Sequence, residues 1–268
     1  MTEPFRILEP SYDAVPMVVG IPHTGTVLPD GIIERLQPAM RSQPMCDWHL
    51  HELYAALPGF GVTVVHAVYS RFISDLNRPP DSAPLYPGRF ETGLVPMRTF
   101  QGEEVWITPP DADEIAAWRE RYHAPYHVAL AGVLDAAVAE FGRVYFLDLH
   151  SVVSSASELH SELTGEIYLG DRDGTSNDGA FTALVERGFA SRGFRVVRNA
   201  PYKGGYNTAH YGARPEIEAL QIEMCQRCYM DEADPAGGPA HQRFGNMQAD
   251  IAGIFSELVS AVARGTTE

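Results

Sequence analysis

Short apolar runs bounded by turn residues recur along the chain, and stretches with helical spacing fall between them. Six runs have the length and flanks of strands: Pro16–Ile21, Val62–Val68, Val144–Leu149, Glu166–Leu169, Phe194–Val197 and Ala219–Met224. The central ones are apolar at consecutive positions, as strands covered on both faces are. After Asp47, Leu50, Leu53, Tyr54 and Leu57 recur at spacings of three and four, which predicts a helix opening there. A longer helical stretch runs from Asp111 to Phe141. Its acidic start suits a helix N-terminus, and Pro125 should break or kink it. Asn177–Arg192 and Gln242–Ala263 predict two more helices. Strands alternating with helices predict an α/β fold, a three-layer, mostly parallel mixed sheet with helices on both faces, in a single domain over residues 1–268. Residues 78–110 are rich in Pro and Gly without a clear period, so they are expected to form a long ordered loop near the functional site.

Charge narrows the partners. With 35 acidic against 20 basic residues the formal net charge is -15, so nucleic acid and anionic membranes are repelled. A small anionic substrate would need a locally basic pocket. No apolar run approaches the roughly 20 residues of a membrane span, and the N-terminal residues lack the basic-then-apolar pattern of a signal peptide. The three cysteines, Cys46, Cys225 and Cys228, do not make a disulfide framework, and a cytoplasmic location is expected. Cys225 and Cys228 form one CxxC after a strand, outside the setting of a redox helix start, and read as structural. The chain has no GxGxxG, GxxxxGK[ST] or GxSxG, so dinucleotide, P-loop and serine-esterase chemistry have no support.

In open α/β sheets ligands bind beyond the carboxyl ends of the strands. Three such ends carry chemistry here: His23 after the first run, His150 at the end of the third, and Glu223 near the end of the last. A catalytic zinc takes three protein ligands and leaves one position open. His23 and His150 offer two nitrogens, and Asp47 is the candidate third ligand, although it could equally cap its helix. His49 and His51 are rivals, and His51 lies one helical turn from Asp47. Asp148 points to the same side of its strand as His150, as an outer partner would. Arg71, Asn77 and Arg78 form a local basic spot able to clamp a carboxylate, or else ordinary ion pairs. The segment 201–212, with glycines beside aromatic and polar residues, suits either a loop that closes over a ligand or a plain turn.

Five motifs in order resemble the N-formylglutamate amidohydrolase family: Ile21-Pro22-His23-Thr24-Gly25, Asp75-Leu76-Asn77-Arg78-Pro79, Asp148-Leu149-His150-Ser151, Pro201-Tyr202-Lys203-Gly204-Gly205-Tyr206 and Gln221-Ile222-Glu223-Met224. The Asp-Leu-Asn-Arg tetrad is also similar to aspartoacylase, and the layout to the zinc carboxypeptidases. Those relatives hold zinc with a His-x-x-Glu pair, whereas Thr26 stands three residues after His23, so the carboxylate ligand is sought at Asp47. The resemblance implies one zinc ion per chain, or another divalent metal, and hydrolysis of N-formyl-L-glutamate to formate and L-glutamate late in histidine breakdown. Within it Glu223 would be the general base and Arg71 the stabiliser of the oxyanion. Asn77 and Arg78 would hold a substrate carboxylate, with Tyr206, Asn207 and His210 supplying further contacts. A related amidohydrolase for another N-acyl acidic amino acid and a non-catalytic binder of acidic amino acids are the competing readings.

Overall fold

A computed structural model describes residues 3–264, apart from 87, 89 and 158. Seven strands among them build one mixed sheet: β1 (Phe5–Leu8), β2 (Met17–Ile21), β3 (Thr63–Ala67), β4 (Val144–Val152), β5 (Ile167–Gly170), β6 (Val196–Arg198) and β7 (Ile217–Cys225), in the order β1-β3-β2-β4-β7-β5-β6. Strands β3, β2, β4 and β7 run parallel. β5 is antiparallel to β7 and parallel to β6, and β1 closes the other edge antiparallel to β3. All six expected strands are present. β1 was not expected, because four residues including Arg6 give little pattern, and pairing with β3 is what makes them a strand.

The helices are α1 (Leu50–Leu53), α2 (Ala112–Trp118), α3 (Ala124–Phe141), α4 (Ala180–Ala190), α5 (Tyr206–Tyr211) and α6 (Gln242–Ala263). None of the described helices is long and apolar enough to cross a membrane. α1, α4 and α6 cover one face of the sheet, packing on Val19, Leu147, Leu149, Leu220 and Ile222. α3 and α5 cover the other, packing on Val18, Val65, Phe146 and Ala219. The result is the expected three-layer α/β arrangement.

Three helical expectations need correction. The helix after Asp47 is a single turn that starts only at Leu50, because His49 sits in the left-handed region at φ 58°. Asp47 therefore caps no helix, and no helical turn joins it to His51. The stretch 111–141 starts as expected, with Asp111 accepting the Glu114 N–H in a capping box. Ahead of Pro125 it does not break but widens into a π-helical turn over Arg119–His123, since proline cannot supply the next helical N–H. Finally, Tyr206–Tyr211, read as part of a loop, is helical.

The loop carrying His23 is zipped to the loop after β3. Val27 N–H donates to Val68 O at 3.1 Å, and Ser70 N–H donates to Val27 O at 2.9 Å. Gly25 lies between them, and a Cβ there would sit 2.4 Å from Tyr69 O. Gly25→Ala should therefore cost about 1–3 kcal/mol of stability, the usual penalty for overpacking. Chemical denaturation checks this; an unchanged midpoint would mean the two loops part without cost.

Candidate active site

The polar site follows from strand alternation. On the α3/α5 side of the sheet the apolar layer consists of Val144 and Phe146 on β4 and Ile217 and Ala219 on β7. The next two positions on that side are Asp148 and His150 on β4, in register with Gln221 and Glu223 on β7. Two polar rungs thus stand side by side where the parallel strands end. His23 and Asp47 join them from neighbouring loops, held together by the Asp47 N–H donating to His23 O at 3.0 Å. Gln226 Nε2 donates to Cys46 O at 3.0 Å and fastens the Asp47 segment to the end of β7.

His23, Asp47 and His150 are all buried, and one ligand atom from each lies within 4.8 Å of the other two. Asp47 Oδ2 is 3.1 Å from His150 Nδ1 and 3.8 Å from His23 Nδ1. The outward nitrogens are both occupied by carboxylates: His23 Nε2 is 2.6 Å from Asp75 Oδ1, and His150 Nε2 is 3.1 Å from Asp148 Oδ2. Asn77 Nδ2 also lies 2.9 Å from His150 Nε2. The Asp75 carboxylate behind His23 favours the proton on its Nε2 and leaves its Nδ1 as a ligand atom. His23 Nδ1 is in fact buried without any hydrogen-bond partner, which is costly unless something else occupies it. Two imidazole nitrogens and one carboxylate facing a common point could hold a metal ion. The rival histidines point elsewhere. His49 is held by Glu52 and Pro235 O, while His51 is held by Thr24 and stacked on His66.

Electrostatics separate the two rings. Burial, with Arg71 adding, lowers His23 to about 4 against the opposing pull of Asp75. Burial would lower His150 as well, but Asp148 and Asp47 outweigh it and raise the ring well above its ordinary value. Glu223 accepts from Gln221 Nε2 at 3.1 Å, and burial, reinforced by Asp47 and Asp148, pushes its carboxyl up to about 8 against the pull of His150 and Arg71. Asp75 is fully buried and had no assigned role from the sequence. It accepts from Arg71 Nη2 at 2.5 Å while holding His23, and despite burial Arg71 and His23 keep it well below the usual carboxylate range. Its position four residues after Arg71, in the Asp-Leu-Asn-Arg tetrad, was the available signal.

A cavity of about 790 Å³ opens onto this group. His23, Asp47, His150, Glu223, Arg71, Asn77 and Arg78 all line it. Arg78 is steered by two carbonyls, its Nε donating to Thr92 O and its Nη1 to Asn77 O, both at 2.8 Å. The loop after Arg78 adds Tyr86, Phe90, Phe100 and Gln101, so it does border the site. The expected contacts on α5 are not among the lining residues. Asn207 is buried beneath the site, its Nδ2 donating to Asp148 Oδ1 at 3.1 Å and its N–H to Asn77 Oδ1 at 2.8 Å. Tyr206 and His210 stack on each other behind it, and His210 is exposed. The wall is made instead by the residues just before, Asn199 to Gly205, with Tyr202 OH hydrogen-bonded to His160 at 2.8 Å. Gly205 is packed so closely that a Cβ would lie 2.3 Å from Asn77 Nδ2.

The family model for N-formylglutamate amidohydrolase matches residues 15–230. The chain belongs to this family. It is 35% identical over 234 residues to an N-formylglutamate deformylase of Pseudomonas putida, covering 86% of this chain and 87% of that one. It is 36% identical over 226 residues to an N-formylglutamate deformylase of Pseudomonas aeruginosa, covering 82% and 84%. Among solved structures, an N-formylglutamate amidohydrolase from Ralstonia eutropha JMP134 superposes with a TM-score of 0.86 at 31% identity, over 99% of this chain and 100% of that one. A gene product of Agrobacterium tumefaciens shares the fold, with a TM-score of 0.73 at 19% identity over 98% and 96% of the two chains.

Asp75 offers a direct test of the site's internal balance. Asp75→Asn keeps the shape but leaves the Arg71 guanidinium buried without its counter-charge. The variant should lose about 3–5 kcal/mol of stability, the cost of breaking a buried ion pair from one side. Equilibrium denaturation reads this, and a loss under about 1 kcal/mol, as for an exposed pair, would show the pair to be solvated.

Proposed function

We propose that this protein is a zinc-dependent amidohydrolase that cleaves N-formyl-L-glutamate into formate and L-glutamate, a late step of histidine breakdown in the cytoplasm. The reading is carried by one combination: a buried His23–Asp47–His150 group beside a cavity-facing Glu223, in a chain of the N-formylglutamate amidohydrolase family. Zinc bound there would lower the pKa of a water towards about 7 and polarise the amide carbonyl.

The chain's own residues supply the rest. Glu223, steadied by Gln221, takes the proton of the attacking water and passes it to the leaving amine, so the C–N bond breaks as a neutral amine departs. Arg71 lines the cavity, and its guanidinium would stabilise the developing oxyanion. Arg78, held by two carbonyls, binds a substrate carboxylate, and its fixed orientation reduces the entropy lost on binding. Asn77, which lines the cavity beside Arg78, would share the substrate carboxylate with it. The cavity volume favours one second reading. About 790 Å³ holds a whole N-acyl amino acid with room for an acyl group larger than formyl, so such an acidic amino acid is the alternative substrate.

Hydrolysis of N-formyl- and N-acetyl-L-glutamate by protein whose zinc is counted by elemental analysis separates the readings. Formate release with about one zinc per chain supports the first; preference for acetyl supports the second; turnover by metal-free protein would sink both. Two variants refine the roles. Glu223→Gln should lower kcat by about 10²–10⁴-fold with zinc retained, as loss of a general base does. Should a folded Glu223→Gln enzyme turn over normally, the proton transfer belongs to another group. Arg78→Lys should weaken substrate binding by about 1.5–3 kcal/mol, since an ammonium cannot copy a bidentate contact. A normal KM would take Arg78 out of substrate binding.

A further inference from the structure

Behind the cavity, two histidines outside the metal group touch the backbone of the Asp75–Arg78 segment. His123 Nε2 donates to Arg78 O at 2.9 Å, and His127 Nε2 donates to Leu76 O at 3.1 Å. The ring centroids lie 4.2 Å apart, the planes tilted by 39°. His127 Nδ1 is in turn 2.9 Å from Tyr211 OH, which fixes its tautomer: the tyrosine donates to Nδ1, and Nε2–H faces the carbonyl. Tyr211 is anchored on α5 edge-on against Phe146 of β4. The segment is thus tied at the carbonyls of Leu76 and Arg78 to the π-helical turn and α3, while the side chains of Asp75, Asn77 and Arg78 reach towards the site. Asp75 reaches His23 and Arg71, Asn77 reaches His150, and Arg78 reaches the cavity.

The helix is built unusually at this place. His123 ends the π-helical turn Arg119–His123 and His127 follows in the first turn of α3. Residues four apart share a helix face, and the widened turn sets where that face looks. A surface or core histidine needs no such pairing with two carbonyls of one loop.

We infer that His123 and His127 are positioning residues that hold the Asp75–Arg78 segment, and with it Arg78, in binding geometry. The kinetic part of this inference rests on the proposed binding of a substrate carboxylate by Arg78; the structural part does not. Four variants test both: His123→Leu and His127→Leu remove the donor, while His123→Gln and His127→Gln keep an N–H at a similar reach. Each leucine variant should raise KM for N-formyl-L-glutamate by about five- to tenfold, the equivalent of one lost hydrogen bond, with kcat within about threefold. Amide exchange should accelerate by a similar factor at Asp75, Asn77 and Arg78, whose N–H groups bond to Leu94 O, Asp75 Oδ1 and Asp75 O. The glutamine variants should recover most of both effects. Unchanged exchange in this segment in both leucine variants would overturn the inference, as would a loss of thermal stability that glutamine fails to restore. If the native enzyme does not hydrolyse N-formyl-L-glutamate, the proposed function falls, and the exchange comparison still decides the role of the two histidines.

Discussion

Burying charge at the end of a sheet is expensive, and the arrangement of this protein is organised around compensating it. Asp47, Asp75, Asp148, His23, His150 and Arg71 are all withdrawn from water. Each has its opposite within hydrogen-bond reach, in a chain that runs from Arg71 through Asp75 to His23 and from Asp47 through His150 to Asp148. Two buried nitrogens of this cluster are left without a hydrogen-bond partner, His23 Nδ1 and Arg71 Nε. His23 Nδ1 is the one that faces the point where the ligand atoms of His23, Asp47 and His150 converge, as a cation site requires.

The sheet makes the cluster affordable. Because β2, β4 and β7 run parallel and side by side, their carboxyl ends meet at one edge, and strand alternation puts Asp148, His150, Gln221 and Glu223 on one side there. The opposite side of the same strands, Leu147, Leu149, Leu220 and Ile222, remains apolar and packs under α6 and its neighbours. Stability and chemistry therefore occupy different faces of the same residues' strands, so the polar rungs do not interrupt the larger core.

Loops complete the site, and each is fastened by backbone contacts rather than left free. Gly25 lets the His23 loop press on the loop after β3, and Gly205 lets the 199–205 wall press on Asn77. The π-helical turn brings His123 and His127 under the Asp75–Arg78 segment. The side chains that meet a ligand are thereby held before it arrives, which suits the recognition of a small, charged molecule.

Much of this was legible one-dimensionally. Six of the seven described strands, the long C-terminal helix and the placing of His23, His150 and Glu223 at strand ends follow from apolar runs and from what stands at their ends, since strand periodicity and burial are local properties. Other features were not. Asp47 is named from the sequence as the candidate third ligand, but at the start of a helix that does not form there; the left-handed turn at His49 and the approach of β4 are what bring it to His150. Asp75 is one carboxylate among many until His23 and Arg71, 52 and 4 residues away in sequence, close on it. Tyr206, Asn207 and His210 look like loop ligands, yet a helical turn rotates them behind the wall made by the residues before them. By itself the sequence determined the strands, the layers and the chemical types present. Strand alternation already put Asp148 behind His150, but the pairings of Asp47 with His150 and of Asp75 with His23 were decided by tertiary structure alone, because they depend on distances between segments that no local pattern records.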